Sequence, residues 1–360
     1  MVGDPEPLPP EAPPLTARAI TLAVSMVGTA LLIAGASVLP LPYAINAPGP
    51  TLDTLGEYGG SPLITVEGAP TYPSTGELHL TTVRQAGGER APVSLLAMVA
   101  GWLDGSRTVM PVELVIPPDQ TGEEIAEQNE AAMISSQERA TVAALEELGY
   151  EVPATLEVAE TIEGTGADGV LLADDVLVAL DGDRLANFAQ LSASLDAVAP
   201  GTEVRLTVQR DGTPVDVDVT TVDDGTGRAL LGVLVDPEFE LPVQVTIKIE
   251  SVGGPSAGLM FALGIIDKLT EADETSGAHI AGTGTMDLTG AVGPIGGINQ
   301  KLVGARDEGA AWFLAPEEDC AEIRSIPDGL RVVAVGTLAE ARAAVEAIGQ
   351  GDTDGLPPCG

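Results

Sequence analysis

A serine and a lysine stand in two glycine-framed segments that together have the make-up of an acyl-hydrolysing pair. The first segment is Gly253-Gly254-Pro255-Ser256-Ala257-Gly258, and the second is Gly296-Gly297-Ile298-Asn299-Gln300-Lys301, whose lysine follows the serine by 45 residues. A serine hydroxyl is a weak nucleophile until a neighbouring base takes its proton. A lysine is such a base only where burial or a nearby positive group keeps its amine neutral. The chain has three lysines, Lys248, Lys268 and Lys301, and its other basic residues are nearly all arginines, which cannot accept a proton. Only Lys301 sits among small, uncharged neighbours, Ile295 to Val303, where desolvation lowers an amine's pKa. Gly253 and Gly254 allow close approach of a substrate, and Ala257 to Leu263 is expected to be the helix that follows. The N–H groups of Ser256 and Ala257, at the positive end of that helix, are candidates for holding an oxyanion; Pro255 has no N–H to offer. The competing reading of the first string is a plain helix start with Ser256 as its N-cap.

Taken together, the two segments resemble the Lon-type serine proteases, whose signature joins a Gly-Pro-Ser-Ala-Gly loop to a lysine downstream of Pro-Ile-Gly-Gly. Here Val292-Gly293-Pro294-Ile295-Gly296-Gly297 precedes Lys301, and Gly282-Thr283-Gly284 matches the family's threonine-bearing strand. The resemblance implies Ser256 as nucleophile, Lys301 as general base and Thr283 as a supporting residue. No Gly-x-x-x-x-Gly-Lys-Ser/Thr string is found, so the ATP-driven module of full-length Lon proteases is not expected and hydrolysis without ATP is.

The elements that must position this pair follow from the remaining pattern. Leu63 to Val66 and the alternating Leu78, Leu80 and Thr82 predict strands, and Thr121-Gly122-Glu123-Glu124 opens a long helix that Gly149 stops. Val243, Val245, Ile247 and Ile249 alternate as a strand leading into the serine loop. Beyond it the pattern predicts helix Ala257 to Leu269, strand Ile280 to Gly282, helix Asn299 to Asp307, strands Trp312 to Ala315 and Val332 to Val335, and helix Leu338 to Ile348 capped by Thr337 and Glu340. Gly76 to Thr82 and the helix near Ser136 resemble early elements of a Lon protease domain.

Between the two halves, from about Tyr150 to Asp223, short strands alternate with turns at Asp181-Gly182 and Asp211-Gly212, and one helix carries Phe188, Leu191, Leu195 and Val198. This order resembles a bacterial PDZ domain. Its usual Leu-x-x-Gly-Asp-x-Ile run is here Leu171-Leu172-Ala173-Asp174-Asp175-Val176-Leu177; Asp174 replaces the glycine, and Gly166 stands where a Pro-Ala pair is common. The resemblance places a carboxylate-binding loop at Gly149-Tyr150-Glu151-Val152, for protein or peptide substrates held by a free C-terminus. A structural spacer is the alternative role for this segment.

At 360 residues, 44% of them hydrophobic, the chain has material for two sizeable cores. Its net charge of -38, spread along the sequence, excludes nucleic acid as an expected partner. Ala19 to Leu39 is uncharged and 21 residues long, enough to cross a hydrocarbon core of about 30 Å. A secretory signal has a shorter apolar region, about 7–15 residues, so a retained anchor is favoured, with Ala34-Gly35-Ala36 as an alternative cleavage site. Arg18 on the N-terminal side, with no further Lys or Arg before Arg84, points the catalytic part outward. Pro40 to Pro50 is a proline-rich exit, and Ala47-Pro48-Gly49-Pro50-Thr51 resembles the segment after the anchor in PDZ-bearing Lon-like proteases. Cys320 and Cys359 suit a disulfide in an oxidising compartment. With only His79 and His279 besides, neither a metal site nor a cofactor is expected.

The expected fold is an α/β (α+β) Lon-type protease domain with a small β-rich PDZ domain, preceded by one transmembrane helix. Its segments are 1–18 as a disordered cytoplasmic N-terminus, 19–39 as the anchor, 40–149 as the first catalytic part, 150–225 as the PDZ-like domain, 230–350 as the proteolytic part and 351–360 as a tail. The expected protein is a single-pass serine endopeptidase of the cell membrane with its catalytic part outside the cytoplasm; family resemblance adds a homo-oligomer, a hexamer. Two rivals stay open: a catalytically silent binding or scaffold protein on the same fold, and a Ser-His-Asp hydrolase using His279.

Overall fold

A computed structural model describes residues 16–38, 40–88, 91–250 and 252–359. The proline-rich stretch Pro5 to Pro14 and the expected end of the apolar span at Leu39 lie outside them. The chain divides into one unit of Met1–Asn46 with Gln85–Gly122 and another of Ala47–Arg84 with Glu123–Gly360.

In the first unit, helix α1 (Ala17–Val38) is 22 residues long, about 33 Å at 1.5 Å per residue, and exposes Leu22, Met26, Leu31 and Leu32. By length and composition it can cross a membrane. Helix α2 (Leu95–Leu103) starts where the Ser94 hydroxyl accepts from the Ala97 N–H, and it buries Met98 beside Ile45 and Val93. Tyr43–Asn46 pairs antiparallel with Thr108–Pro111.

The second unit is built on a sheet whose neighbouring strands are Arg331–Val335, Trp312–Pro316, His279–Gly282, Glu77–Ala86 and Tyr43–Asp53, the first four mutually parallel. The strands Trp312–Pro316 and, beyond its first residue, Arg331–Val335 are apolar on both faces, as parallel strands covered by helices require, whereas the face of Glu77–Ala86 and His279–Gly282 away from helix Gly258–Leu269 carries Glu77, His79 and His279. Leu78, Leu80, Ile280, Leu314, Val333 and Val335 face a core shared with α3 (Gly122–Glu147), α5 (Gly258–Leu269) and α7 (Leu338–Gln350). The alternate residues Ala281, Phe313, Ala315 and Val332 face α6 (Ile298–Asp307). Helix α5 is apolar all round from Gly258 to Ile266, carries Asp267 and Lys268 only in its last turn, and has no exposed face, the behaviour of a central core helix. The Thr337–Glu340 capping box opens α7.

The β-rich part holds six strands in the order Thr213–Thr220, Glu203–Arg210, Val176–Leu180, Ala154–Thr161 and Val233–Phe239, with Asp183–Arg184 paired to Val176–Leu180; α4 (Phe188–Asp196) packs on it. Asp181-Gly182 and Asp211-Gly212 are two-residue hairpin loops with positive φ at both positions, which suits the twist of the strands they join. Both departures from the usual PDZ pattern have a local account. Asp174 has a φ of 67°, a conformation that glycine fills without cost and Asp tolerates better than most residues. A Cβ on Gly166 would run into the Thr220 carbonyl group, so no larger residue fits.

The sheet does not end near residue 225 as the sequence suggested. Val233–Phe239 pairs with Ala154–Thr161 over its full length, with one register shift between Leu234 and Val235. The Glu240 N–H then donates to the Pro153 carbonyl at 2.8 Å, so the two ends of this inserted part meet at one point.

Candidate functional site

The serine loop is held from two sides. Gly254, at φ 87°, turns the chain and donates its N–H to the Asn129 carbonyl on α3 at 2.8 Å. Two turns along α3, the Ser136 hydroxyl donates to the Pro255 carbonyl at 2.9 Å. On the other side the Gly284 N–H donates to the Ser256 carbonyl at 3.0 Å, and Leu259, in the first turn of α5, donates to Gly284 at 3.1 Å. Ser256 is thereby fixed in front of α5 with its side chain facing a cleft of about 420 Å³ lined by Tyr58, Leu80, Thr82, Met133 and Val252 among others.

Lys301 reaches the same point from the first turn of α6 and is 2% exposed. Its Nζ lies 2.9 Å from Ser256 Oγ and 2.8 Å from Thr283 Oγ1. Thr283 Oγ1 donates to the Ser256 carbonyl at 2.9 Å, which commits its one proton and leaves its lone pairs to receive an N–H from Lys301. With one N–H so directed, the lone pair of a neutral Lys301 is free to face the Ser256 hydroxyl. Burial pushes the Lys301 amine down to about 7, against a smaller opposing pull from Asp319. Asp319 is itself buried, and its carboxylate accepts the Ile295 N–H at 3.0 Å; burial raises its pKa. No motif in the sequence marked Asp319, Asn129 or the Ser136 contact; the only hint at Asp319 was its place beside Cys320.

Burial also lowers the pKa of Lys268, which donates to the Leu55 carbonyl beside Asp53 and Asp267. Among the described residues its Nζ is hydrogen-bonded to no serine, so a lowered amine pKa alone does not single out Lys301; the contact with Ser256 does. Ala257 is buried at the N-cap of α5, and among the described residues neither its N–H nor that of Ser256 donates to a protein acceptor. Both are available to an oxyanion.

His279 does not join Ser256. Its Nδ1 lies 3.4 Å from Glu77 and its ring rests 4.5 Å from that of His79. The segment expected to receive a peptide carboxylate is occupied: Gly149 and Tyr150 donate their N–H groups to Glu146 and Leu145 as the C-terminal cap of α3, and Val152 is fully buried against Val142, Leu145 and Val243. Glycine after a helix serves capping as readily as ligand binding, and here capping takes it. Cys320 and Cys359 form a disulfide, and the tail it anchors adds backbone bonds from Cys359 to Val332 and from Ala334 to Pro357.

Residues 244–343 match the Lon protease (S16) C-terminal proteolytic domain and residues 145–221 match a PDZ domain. The chain thus combines a Lon proteolytic domain with a PDZ domain behind one N-terminal apolar helix. It is 37% identical over 78 residues to the Lon protease of Roseiflexus castenholzii, covering 22% of this chain and 10% of that one. It is 35% identical over 101 residues to the Lon protease of Clostridioides difficile, covering 27% and 13%. With Lon protease 2 of Bacillus subtilis it shares 36% over 91 residues, covering 25% and 16%. The chain therefore spans only about a tenth to a sixth of the length of these relatives. Among solved structures, the PDZ domain of an SdrC-like protein from Listeria monocytogenes is 17% identical with a TM-score of 0.22, covering 22% of this chain and 86% of that one. Its counterpart from Listeria innocua is 18% identical with a TM-score of 0.22, covering 22% and 92%.

Proposed function

We propose that this protein is a serine endopeptidase that cuts protein substrates through Ser256 and Lys301 without ATP, held at the membrane by α1 with its catalytic part outside the cytoplasm. The observation that carries the reading is the 2.9 Å approach of a buried lysine to a serine at the head of a core helix. Neutral Lys301 takes the Ser256 proton as Oγ attacks the scissile carbonyl, and the Ser256 and Ala257 N–H groups receive the oxyanion. Lys301, now protonated, returns the proton to the leaving amine. Water then attacks the acyl carbon and gives a proton to Lys301, which passes it to Ser256 Oγ as the Oγ–acyl bond breaks and the carboxylic acid product leaves. Thr283 holds Lys301 in the direction this transfer needs. The sequence contains no phosphate-cradling Gly-x-x-x-x-Gly-Lys-Ser/Thr string for a nucleotide to use.

The PDZ domain selects substrates in this reading. Ala154–Thr161 is paired on both sides, so an added peptide strand has the outer edges of Thr213–Thr220 or Val233–Phe239 to join. The deciding experiment is labelling of the purified full chain with a serine-reactive phosphonate and location of the adduct. Modification of Ser256, abolished by Lys301→Ala, supports the dyad; labelling elsewhere, or none alongside undiminished hydrolysis, refutes it.

A further inference from the structure

The chain has two histidines, 200 residues apart in sequence, and folding brings their rings to 4.5 Å between centroids at a tilt of 44°. His79 lies on Glu77–Ala86 and His279 opens the parallel neighbour His279–Gly282, in register with Glu77. Glu77, His79 and His279 share the face of the sheet opposite the α5 core, and one donor atom from each lies within 4.8 Å of the others. We propose that these three residues form a binding site for a divalent transition-metal ion such as zinc, with water completing the shell.

The distances favour a metal over a plain hydrogen-bonded cluster. Glu77 Oε2 lies 3.2 Å from His79 Nε2 and 3.4 Å from His279 Nδ1. Donors on a tetrahedral zinc, at about 2.0–2.2 Å from the ion, are about 3.3–3.5 Å from one another, so these separations are ordinary edges of such a shell. As an N–H···O bond, 3.4 Å is beyond the usual range. His279 presents Nδ1 to Glu77 and hence to the ion, while its buried Nε2 has no hydrogen-bond partner among the described residues. The other nitrogen of His79, Nδ1, lies 2.7 Å from the Thr51 hydroxyl, the kind of outer partner that fixes a metal-binding imidazole in its tautomer and orientation. Two imidazoles and one carboxylate suit borderline cations of the zinc, cobalt and nickel type rather than calcium or magnesium. The chain's net charge of -38 raises the local concentration of cations. The site's residues are separate from Ser256 and Lys301, so the proposal stands independently of the dyad.

The test is a cobalt(II) titration of the chelator-treated full chain in detergent, read by the visible absorption of tetrahedral cobalt and by displacement with zinc(II). One cobalt per chain is expected, with His79→Ala, His279→Ala and Glu77→Gln each weakening binding at least tenfold, and Thr51→Val weakening it roughly tenfold. Glu77 is half exposed, so Glu77→Gln tests the site without disturbing the core should a histidine variant unfold. Zinc should raise the melting temperature of the wild type and of Ser256→Ala, but not of Glu77→Gln. Cobalt bound equally by wild type and Glu77→Gln would assign it to the acidic surface and overturn the site, as would the absence of a saturable tetrahedral spectrum.

Discussion

At the scale of single residues, two hydrogen bonds and one desolvated amine define the candidate chemistry. Ser256→Ala and Lys301→Ala are each expected to reduce casein hydrolysis by about 10³-fold or more, because nucleophile and base act as one unit, while the circular dichroism spectrum is unchanged. Lys268→Ala, which alters the partly buried lysine of α5, should leave the rate near that of the wild type. The rate should rise with pH through about 7, the pKa to which burial lowers Lys301, and level off above it, since only the neutral amine accepts the Ser256 proton. A pH profile of kcat/KM that is flat from pH 5 to 9 would contradict this role. The same burial makes a stability prediction of definite sign. Between about pH 7 and the ordinary lysine value the unfolded chain binds a proton at Lys301 that the folded chain does not, so this residue's contribution to stability improves as pH rises across that window. Lys301→Met should therefore be more stable than wild type at pH 7, by at most about 5 kcal/mol, and the difference in urea unfolding should shrink toward pH 10.

At the scale of elements, the inserted sheet and the C-terminal tail can be tested apart from the dyad. Because Pro153 and Glu240 are hydrogen-bonded to each other, replacing residues 154–239 with a short Gly-Ser linker joins points that are already adjacent. This variant should keep its hydrolysis of short fluorogenic peptides and lose most of its cleavage of proteins; equal loss on both, with α5 and α6 still folded, would mean that the PDZ domain does not recruit substrate. A cut at residue 225 should behave worse, since it leaves Val233–Phe239 without its partner strand. The Cys320–Cys359 bond closes a loop 39 residues apart in sequence. The paired Cys320→Ala and Cys359→Ala variant should lose about 2–4 kcal/mol by chemical denaturation, and unchanged stability would show that the backbone bonds of the tail suffice.

For the whole molecule, the placement of α1 governs everything downstream. An apolar helix about 33 Å long with its large side chains exposed is stable in a bilayer and costly in water. We expect the full chain to stay in the membrane fraction after alkaline extraction and to expose Cys320 and Cys359 to a membrane-impermeant thiol reagent only after reduction. Labelling without reduction, or labelling only after the cells are opened, would reverse the proposed orientation or the disulfide.

Much of this architecture was legible because it is local. The 3.6-residue periodicity of α3 and α7, the turns at Asp181-Gly182 and Asp211-Gly212, and the uncharged run of α1 are properties of neighbouring residues, and the two glycine-framed segments set Ser256 and Lys301 apart before any fold was in view. What depended on distant contacts was not legible. Val233–Phe239 belongs to the inserted sheet through its pairing with Ala154–Thr161, which no periodicity across the intervening 70 or so residues can reveal. Gly149 and Tyr150 looked like a binding loop, but their N–H groups went to the open carbonyls of α3, since a helix end needs partners whatever ligand is present. The sequence by itself determined which residue types could perform the chemistry; the tertiary structure alone decided that Lys301 is buried with its amine lowered, that it lies beside Ser256 and Thr283, and that parallel strand register brings His79 and His279 together on one face of the sheet.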